Sequence, residues 1–548
     1  MGMHLEKCNW KFKNFLKKYW IEIGLFLIAL VVMSSYGIGE LPILKDLGLF
    51  YYLGQEVLRG YPLYSTAYEV KPPVPFLTFA LSMSVFGFLP QYLSTRVFML
   101  IVTSVSVLMF YRIVLKISNN KTVSVLSALI LISFTFFVEL WLLGDSKAMA
   151  LFFCFLMFLL LFKKSYTLSG LSASMSLLFW QPFALFLIAP LIFLMLEKNG
   201  RRKKIINIFK TLLGFSIPLV VLVGYFFFFG SVKELLDFSL FYPLKYESAS
   251  LLAWRPWLIF NVLGYYCSEF FFLLFGAIGL LFVICKFLLE TVKKRSLSIL
   301  LENKYLAAFA VSFLFFSFAV AKDFDDGSDL TVLLPIVSLL AAISLEKIKN
   351  RLVKIVSSKM GTPEAKASAA ASAVLILLVC AYGFLPALQP VYPENPVITY
   401  KDLNASSPSE LVARIQNDLG FYNSIFLFLF RRPGEQLTIN HQLELAKMIQ
   451  NSTLEDEKIL SLDSPEMLFL SNRRNLNPYP LFEGTGFYEI AVERGEIDKI
   501  RSDIVTYRPK FILYSDKKFI EKLGIGEFVE KNYEELNFIY YKIYKLKG

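Results

Sequence analysis

The sequence predicts a polytopic α-helical membrane protein with about eleven spans and a small C-terminal α/β domain outside the membrane. The chain of 548 residues is 56% hydrophobic and only 18% charged, and its mean hydropathy is +0.55. Soluble proteins are nearer about 45–50% apolar and 25% charged, so the composition excludes an ordinary soluble enzyme, a disordered chain and a disulfide scaffold. The long apolar runs all lie before residue 388.

Charge is divided unequally between the two parts of the chain. From Leu388 on there are 20 basic and 23 acidic residues, so the first 387 residues hold 36 basic and 21 acidic ones. Loops that flank membrane helices explain this basic excess, and a nucleic-acid partner is not indicated.

Cysteine and histidine are scarce. The five cysteines all precede residue 388, and no pair of them has the spacing of a metal site. The two histidines, His4 and His441, lie far apart, which argues against a His-based metal site or catalytic triad. The first apolar run, Trp20–Ile38, is too long for a cleavable signal peptide and predicts a signal anchor.

The eleven spans are predicted from apolar runs long enough to cross a bilayer. The run at 168–196 is interrupted at Trp180-Gln181-Pro182, and this break predicts a tight hairpin of two short helices. The other spans are predicted at 20–37, 95–115, 122–140, 148–162, 207–229, 270–290, 305–321, 330–345 and 371–387.

The distribution of basic residues decides whether one further run, Pro72–Leu89, crosses the membrane. If it does not cross, the inner segments hold 27 of the 36 basic residues of the membrane part, including Arg201-Arg202-Lys203-Lys204. If it crosses, these clusters fall outside, against the positive-inside rule. We therefore expect this run to lie in or dip into the outer leaflet of the cell membrane. The N-terminus of the membrane module (1–387) is then cytoplasmic, and residues 388–548 are extracytoplasmic.

Four outer loops follow from this topology, at 39–95, 139–147, 230–269 and 322–329. They hold 14 of the 21 acidic residues of the membrane part and only eight basic residues. Most charged residues of such loops are simply solvated. All four loops and the 180–182 break nevertheless open on one face, which predicts a wet cavity above the helical bundle.

Residues 388–548, called the tail below, form the second predicted domain. Alternating helices and strands of this length indicate a small α/β sheet. No Gly-rich phosphate loop follows the first two strands, so we expect a packing or acceptor-contact role instead of nucleotide binding. The elements are a Pro-rich linker at Gln389–Leu403, a helix at 439–451, a strand at 458–463, a helical start at Ser464-Pro465-Glu466, a helix at 487–506, a strand at 510–515, a helix at 516–532 and a strand at Phe538–Leu546.

Asp46 is the first candidate for chemistry. It lies just after the first span, where a short amphipathic helix begins. A carboxylate at this place can cap the helix and favour its dipole. It can also serve as a general base that removes a proton from an acceptor hydroxyl.

The order of several motifs resembles the GT-C membrane glycosyltransferases, most of all the dolichyl-phosphate-mannose–protein mannosyltransferase and lipid A aminoarabinose transferase group. The likeness covers the whole architecture, including the outer α/β tail. The motifs are Asp46, Gly60-Tyr61-Pro62-Leu63-Tyr64, Lys71-Pro72-Pro73, Gly144-Asp145, Gly170 with Phe179-Trp180-Gln181-Pro182, and Leu334-Pro335.

This resemblance implies a transferase that moves a sugar from a polyprenyl-phosphate donor to a protein, lipid or glycan acceptor at the outer face. It implies that Asp46 is the catalytic carboxylate and that Lys71 lies near the lipid-linked phosphate. A lysine is a compact partner for phosphate, and a single displacement with one carboxylate as base inverts the anomeric carbon. Two departures are that Asp46 precedes Leu47 where many relatives have Asp-Glu, and that the Trp-Trp-Asp signature of oligosaccharyltransferases is absent.

Other residues remain open candidates. Arg255, between two tryptophans, can anchor at the interface or grip a phosphate bidentately, and Lys322 is a further candidate for the donor phosphate. Asp145 is a second acid, and Asp46 and Asp145 together can hold a divalent cation through hard oxygen ligands. The acidic run after Lys322 fails as a calcium loop because its twelfth position is Leu334.

Two other functions compete with a transferase. A transporter or flippase for a lipid-linked substrate usually has ionisable groups within its spans and repeated halves, whereas here the charges lie at helix ends. A non-catalytic membrane assembly subunit is the third interpretation, and Asp46 and Lys71 argue against it.

Overall fold

The computed structural model of the chain describes residues 2–36, 38–247, 270–294, 303–320, 331–360, 363–384, 438–482, 486–514, 517–538 and 541–547. The helices of the membrane part are α1 (Gly2–Ser34), α2 (Lys45–Leu58), α3 (Val74–Val85), α4 (Gln91–Ser118), α5 (Lys121–Ile132), α6 (Thr135–Leu143), α7 (Ser146–Phe162), α8 (Tyr166–Phe179), α9 (Ile188–Leu196), α10 (Arg201–Phe228), α11 (Val232–Leu236), α12 (Phe270–Lys294), α13 (Lys304–Val320), α14 (Leu334–Met360) and α15 (Glu364–Phe384).

Three of the described helices are both long and apolar enough to cross a membrane, namely Gln91–Ser118, Arg201–Phe228 and Thr331–Ser358. Shorter apolar helices accompany them, so the chain is a mainly helical membrane protein, as its composition predicts. The number of eleven spans stays a prediction. The Pro72–Leu89 run contains only the 12 residues of α3, about 18 Å of helix, which is short for a hydrocarbon core of about 30 Å.

The predicted hairpin at 168–196 is present. Trp180 has an extended backbone that ends α8, a 3₁₀ turn follows at Gln181–Leu187, and α9 then returns. The Tyr166 hydroxyl at the start of α8 donates to Glu197 just after α9, at 2.8 Å, so the two helices are antiparallel.

The span predicted at 122–140 is not one continuous helix, because α5 and α6 occupy it. Ser133 ends α5, and its hydroxyl donates back to the Leu129 carbonyl at 2.7 Å. Serine side chains compete in this way for backbone groups and favour helix ends.

Glycines allow α8 and α10 to pack backbone against backbone. A Cβ on Gly170 would lie 1.9 Å from the Thr211 carbonyl oxygen, and a Cβ on Gly214 would lie 1.9 Å from the Thr167 carbonyl oxygen. Small residues at helix contacts are typical of membrane bundles, where close packing replaces the hydrophobic driving force. The reciprocal contact fixes where α10 lies against the hairpin.

The described part of the tail contains a four-stranded mixed sheet in the order β1-β2-β4-β3. Strand β2 pairs parallel with β1 and antiparallel with β4, which pairs antiparallel with β3. The elements are α16 (Ile439–Ser452), β1 (Leu460–Ser461), α17 (Pro465–Ser471), α18 (Phe487–Glu493), α19 (Ile497–Tyr507), β2 (Phe511–Tyr514), α20 (Lys518–Lys522), α21 (Gly526–Asn532), β3 (Tyr533–Phe538) and β4 (Tyr541–Leu546).

Several boundaries predicted for the tail are wrong. The helix at 487–506 is broken at Gly495, whose φ of +68° does not fit a right-handed helix, and the 516–532 helix is two short helices. The predicted strand at 458–463 is reduced to Leu460–Ser461. Strand β3 was missed because Glu534, Glu535 and Asn537 have low strand propensity, although charges are common on edge strands. The linker at 389–403 lies outside the described residues.

The hydrophobic core has two parts. One fills the membrane bundle, and the other joins α2, α3 and the C-terminal end of α10 to the tail. Helix α2 lies between α3 and α17 and buries nearly its whole surface from Leu47 to Glu56. The loop that contains the first candidate residue is thus part of a packed layer between the bundle and the tail.

Candidate functional site

Asp46 lies in the first turn of α2, with its side chain exposed while the next ten residues are buried. The cap position is Leu44, which makes no side-chain cap hydrogen bond. The Asp46 carboxylate forms no hydrogen bond or ion pair with any residue that the structure describes. Its negative charge in the first turn interacts favourably with the helix dipole. It does not serve as a cap and is available to a substrate.

Lys71 lies in a backbone segment held on several sides. The Tyr64 hydroxyl donates to the Lys71 carbonyl at 2.7 Å, and Gln181 Nε2 donates to the Val70 carbonyl at 2.9 Å. The Lys71 amide donates to Glu69 Oε1 at 3.2 Å. The half-buried side chain extends over the Phe50 ring of α2, with Nζ 4.9 Å from the ring centroid.

The charges of three carboxylates act on the ammonium of Lys71. Burial alone would lower the Lys71 pKa, but the charges of Glu69, Asp46 and Asp145 outweigh burial and hold the pKa above its ordinary value. A nearby opposite charge favours the charged form of a side chain. Lys71 therefore stays protonated at neutral pH.

Asp145 begins α7 from the second outer loop. Its carboxylate accepts from the Lys147 amide at 2.6 Å as an N-cap. The preceding Gly144 has a φ of +93°, and a Cβ there would lie 2.8 Å from the Phe79 ring, so only glycine brings α7 this close to α3. The helix-capping role of Asp145 and its action on Lys71 coexist.

Lys147 is a second buried cation at this place, and sequence reasoning missed it. Its Nζ lies 5.0 Å from the Trp180 ring centroid, and its charge acts on Lys71. A lysine at the start of an apolar span, two residues after Asp145, was the signal that could have identified it. Gln181 was noted only as part of a hairpin break, yet it contacts both Val70 and the Ser239 carbonyl, at 3.3 Å.

The site thus consists of Asp46, Glu69, Lys71, Asp145 and Lys147, at one end of the bundle under the tail. Acids here can accept a proton from a hydroxyl, and the two lysines can neutralise an anion. Of the other predicted residues, Arg255 and Lys322 lie outside the described residues. Among the described residues there is no group of three His, Cys, Asp or Glu that could hold a metal ion, so the divalent cation at Asp46 and Asp145 stays a prediction.

The matching family segment begins at this site. The sequence model of the family described as dolichyl-phosphate-mannose-protein mannosyltransferase matches residues 70–226, which include Lys71, Asp145 and Lys147. No curated protein sequence matches.

Solved structures extend the likeness to nearly the whole chain. ArnT from Cupriavidus metallidurans bound to undecaprenyl phosphate has a TM-score of 0.55 at 11% identity, covering 95% of this chain and 97% of ArnT. The same ArnT in the apo state has a TM-score of 0.53 at 12% identity, covering 96% and 98%. The fold is shared over 95% of this chain. The chain therefore shares the fold of ArnT, and its segment 70–226 is similar to the protein mannosyltransferase family.

Proposed function

We propose that this protein transfers a sugar from a polyprenyl-phosphate donor to an acceptor hydroxyl at the outer face of the membrane, with inversion at the anomeric carbon. The main observation is that the exposed Asp46 carboxylate of the first loop acts electrostatically on Lys71, whose segment is held by Tyr64 and Gln181. The bound undecaprenyl phosphate of the structurally similar ArnT supports a donor of this chemical class.

Asp46 is the base in this proposal because its exposed carboxylate makes no other bond among the described residues. It takes the proton of the acceptor hydroxyl as the acceptor oxygen bonds to the anomeric carbon. The bond from that carbon to the phosphate oxygen breaks, and the polyprenyl phosphate leaves with the electron pair. One displacement with no covalent sugar–enzyme intermediate inverts the configuration.

Lys71 and Lys147 stabilise the departing phosphate. Both are at the same end of the bundle, and Lys71 keeps its proton because its pKa is raised. A positive charge fixed where negative charge develops assists the reaction without reorganisation. Glu69 and Asp145 keep Lys71 charged, and together with Asp46 they leave the site with one net negative charge when no phosphate is bound.

Asp46→Asn tests the proposal directly. The variant keeps the shape of the side chain but removes its basicity, and general-base assistance contributes about 10²–10⁴-fold. We expect the purified protein to fold and bind donor, yet release sugar at least about a hundredfold more slowly in detergent. Glu40→Gln, at another exposed carboxylate of the same loop, is the matched control and should remain active.

Normal turnover by Asp46→Asn would assign Asp46 to helix stabilisation and move the base to Asp145 or Glu69. A wild-type protein that binds the donor but never releases sugar, with any acceptor class offered, would favour the transporter or assembly function instead.

A further inference from the structure

The segment that leads into α2 is held by bonds from both neighbouring layers. We call residues 38–43 the strap. On the membrane side, the fully buried guanidinium of Arg96 donates to the carbonyls of Ile38, Leu41 and Pro42. The guanidinium of Arg96 thus bonds to backbone carbonyls at the end of the first span. These bonds fix the membrane side of the strap.

On the opposite side, the tail holds the strap through Gln442 of α16. Ile43 N–H donates to Gln442 Oε1 at 2.8 Å, and Gln442 Nε2 donates to the Ile43 carbonyl at 2.9 Å. The amide therefore pairs with both backbone groups of one residue, as a neighbouring strand would. Gln442 is fully buried, so neither group can turn to water when the side chain is lost.

Further tail groups orient the Gln442 amide. Its Nε2 also donates to the Tyr541 hydroxyl at 2.7 Å. A backbone hydrogen bond adds a second contact between the tail and the strap, since Ile439 N–H donates to the Glu40 carbonyl at 3.0 Å. The amide plane of Gln442 is therefore fixed within the tail before it reaches the strap.

We propose that Gln442 is a positioning residue of the transfer reaction, which holds the start of α2, and with it the Asp46 carboxylate, in place relative to Lys71. Ile43 is three residues before Asp46, and the cap residue Leu44 makes no side-chain cap hydrogen bond. The direction of the first turn is thus set by the strap and not by a capping side chain. This inference rests on the proposed function, because it takes Asp46 as the base.

Lys71 is fixed independently of Gln442. Its segment is bonded by Tyr64, Gln181 and Glu69, none of which contacts the strap through a hydrogen bond in the described structure. Loss of Gln442 should therefore displace the base while leaving the phosphate site intact. A general loss of fold would lower turnover and donor affinity together. It can therefore be distinguished from displacement of the base, which lowers turnover alone.

The experiment compares turnover and donor affinity of the full-length wild type, Gln442→Leu and Gln450→Leu, with a polyprenyl-phosphate sugar as donor. Gln450 is the matched control because it is on the same helix but donates only within the tail, to the Leu470 carbonyl at 3.3 Å. A shift of about 1 Å in a reacting group can cost about a hundredfold. We expect kcat to fall roughly ten- to hundredfold in Gln442→Leu, with donor affinity nearly unchanged and Gln450→Leu near wild type.

Gln442→Glu provides a second test that does not depend on the folding of the leucine variant. A protonated carboxyl has one donor and one acceptor and can pair with Ile43 as the amide does, whereas the carboxylate has only acceptors. The activity of Gln442→Glu relative to wild type should therefore rise as the pH is lowered. Groups far from position 442 that titrate in both proteins cancel in this ratio. A ratio that is flat or falls on acidification contradicts the pairing.

Hydrogen exchange of residues 38–46 supplies a readout apart from activity. We expect faster exchange in Gln442→Leu than in Gln450→Leu, and unchanged exchange would overturn the proposal. Faster exchange with normal turnover, while Asp46→Asn is inactive, would overturn the positioning role alone. Faster exchange with normal turnover, while Asp46→Asn is active, would overturn the assignment of Asp46 as the base and this inference with it.

Discussion

Lys71 shows how a single side chain can stay charged beside apolar surroundings. It lies over the Phe50 ring, and its ammonium is half-buried, which by itself favours the neutral form. The three nearby acids reverse this preference and keep the pKa above its ordinary value. The lysine therefore remains a cation over the whole physiological range, at the cost of a site with net negative charge when empty.

Lys71→Ala should weaken donor binding more than it slows the bound complex. Loss of a charge-assisted contact corresponds to about 1.5–3 kcal/mol, or roughly a ten- to hundredfold rise in donor Kd. Titration with a polyprenyl phosphate measures it, and Lys233→Ala, at an exposed lysine of another outer loop, is the control. Unchanged donor affinity would mean that Lys71 only extends along the interface.

The sequence predicted some residues of this site and not others for a physical reason. Asp46 and Lys71 lie in short motifs close together in the chain, and motif order was enough to select them. Lys147 and Gln442 act through contacts with Trp180 and Ile43 that depend on tertiary packing. A buried glutamine has no local pattern that distinguishes it from an exposed one, so its partner 399 residues away could not be predicted.

At the scale of elements, the contact between α2 and α17 joins the bundle to the tail. A Cβ on Gly48 of α2 would lie 2.6 Å from the backbone nitrogen of Glu466, so glycine permits this close approach. Glu466 is 1% exposed, and burial raises its pKa to about 8, although Tyr541 and Lys45 oppose the shift. The carboxyl is therefore mainly protonated at neutral pH in the folded protein.

Glu466→Gln should change how stability depends on pH. Between about pH 4.5 and 8 the folded protein keeps a proton that the unfolded chain has lost, so the wild type becomes less stable as pH rises through this window. Glutamine cannot ionise, and the variant should gain stability relative to wild type, on the order of a few kcal/mol at pH 8 and little at pH 4.5.

Thermal unfolding in detergent at several pH values measures this effect as the difference in Tm between variant and wild type. Glu444→Gln, at an exposed carboxyl of α16, is the control and should give a difference that does not vary with pH. A Glu466→Gln difference that is equally flat would show that the carboxyl is ionised in the folded protein.

The helices were easier to predict than their ends. Lipid requires long apolar segments, so apolar runs locate the helices of the bundle with little ambiguity. The break at Ser133 and the turn at Gly495 each depend on a single residue. A hydrophobic pattern is evaluated over many residues and does not detect them. Close contacts such as Gly170 against Thr211 then fix the packing, and no periodicity reveals which glycines make them.

At the scale of the whole molecule, hydrogen bonds join the first loop to the tail. The argument from basic residues treated these two segments separately. The tail bonds to the first outer loop at several places, for example Tyr68 N–H to the Pro478 carbonyl at 2.9 Å and Arg59 to Asn472 at 2.7 Å. Loop and tail must therefore lie on the same side of any membrane. The predicted topology places both outside for an independent reason, the distribution of basic residues.

Helix α10 then relates the two sides of the bundle. Its outer end contacts the first loop, since Leu63 N–H donates to the Tyr225 hydroxyl at 3.3 Å. Its other end begins with Arg201, 28 residues and about 42 Å of helix away, which exceeds a hydrocarbon core of about 30 Å. The basic cluster at 201–204 is therefore expected opposite the tail, on the cytoplasmic side.

Cysteine labelling tests this arrangement. In a chain without its native cysteines, Lys447→Cys in the tail and Lys203→Cys at the start of α10 are both exposed positions. Because the two lie on opposite sides, a membrane-impermeant maleimide should label Lys447→Cys in intact cells, and Lys203→Cys only after permeabilisation. Labelling of Lys203→Cys alone in intact cells would invert the topology. The candidate site would then face the cytoplasm, and transfer to an acceptor at the outer face would be impossible.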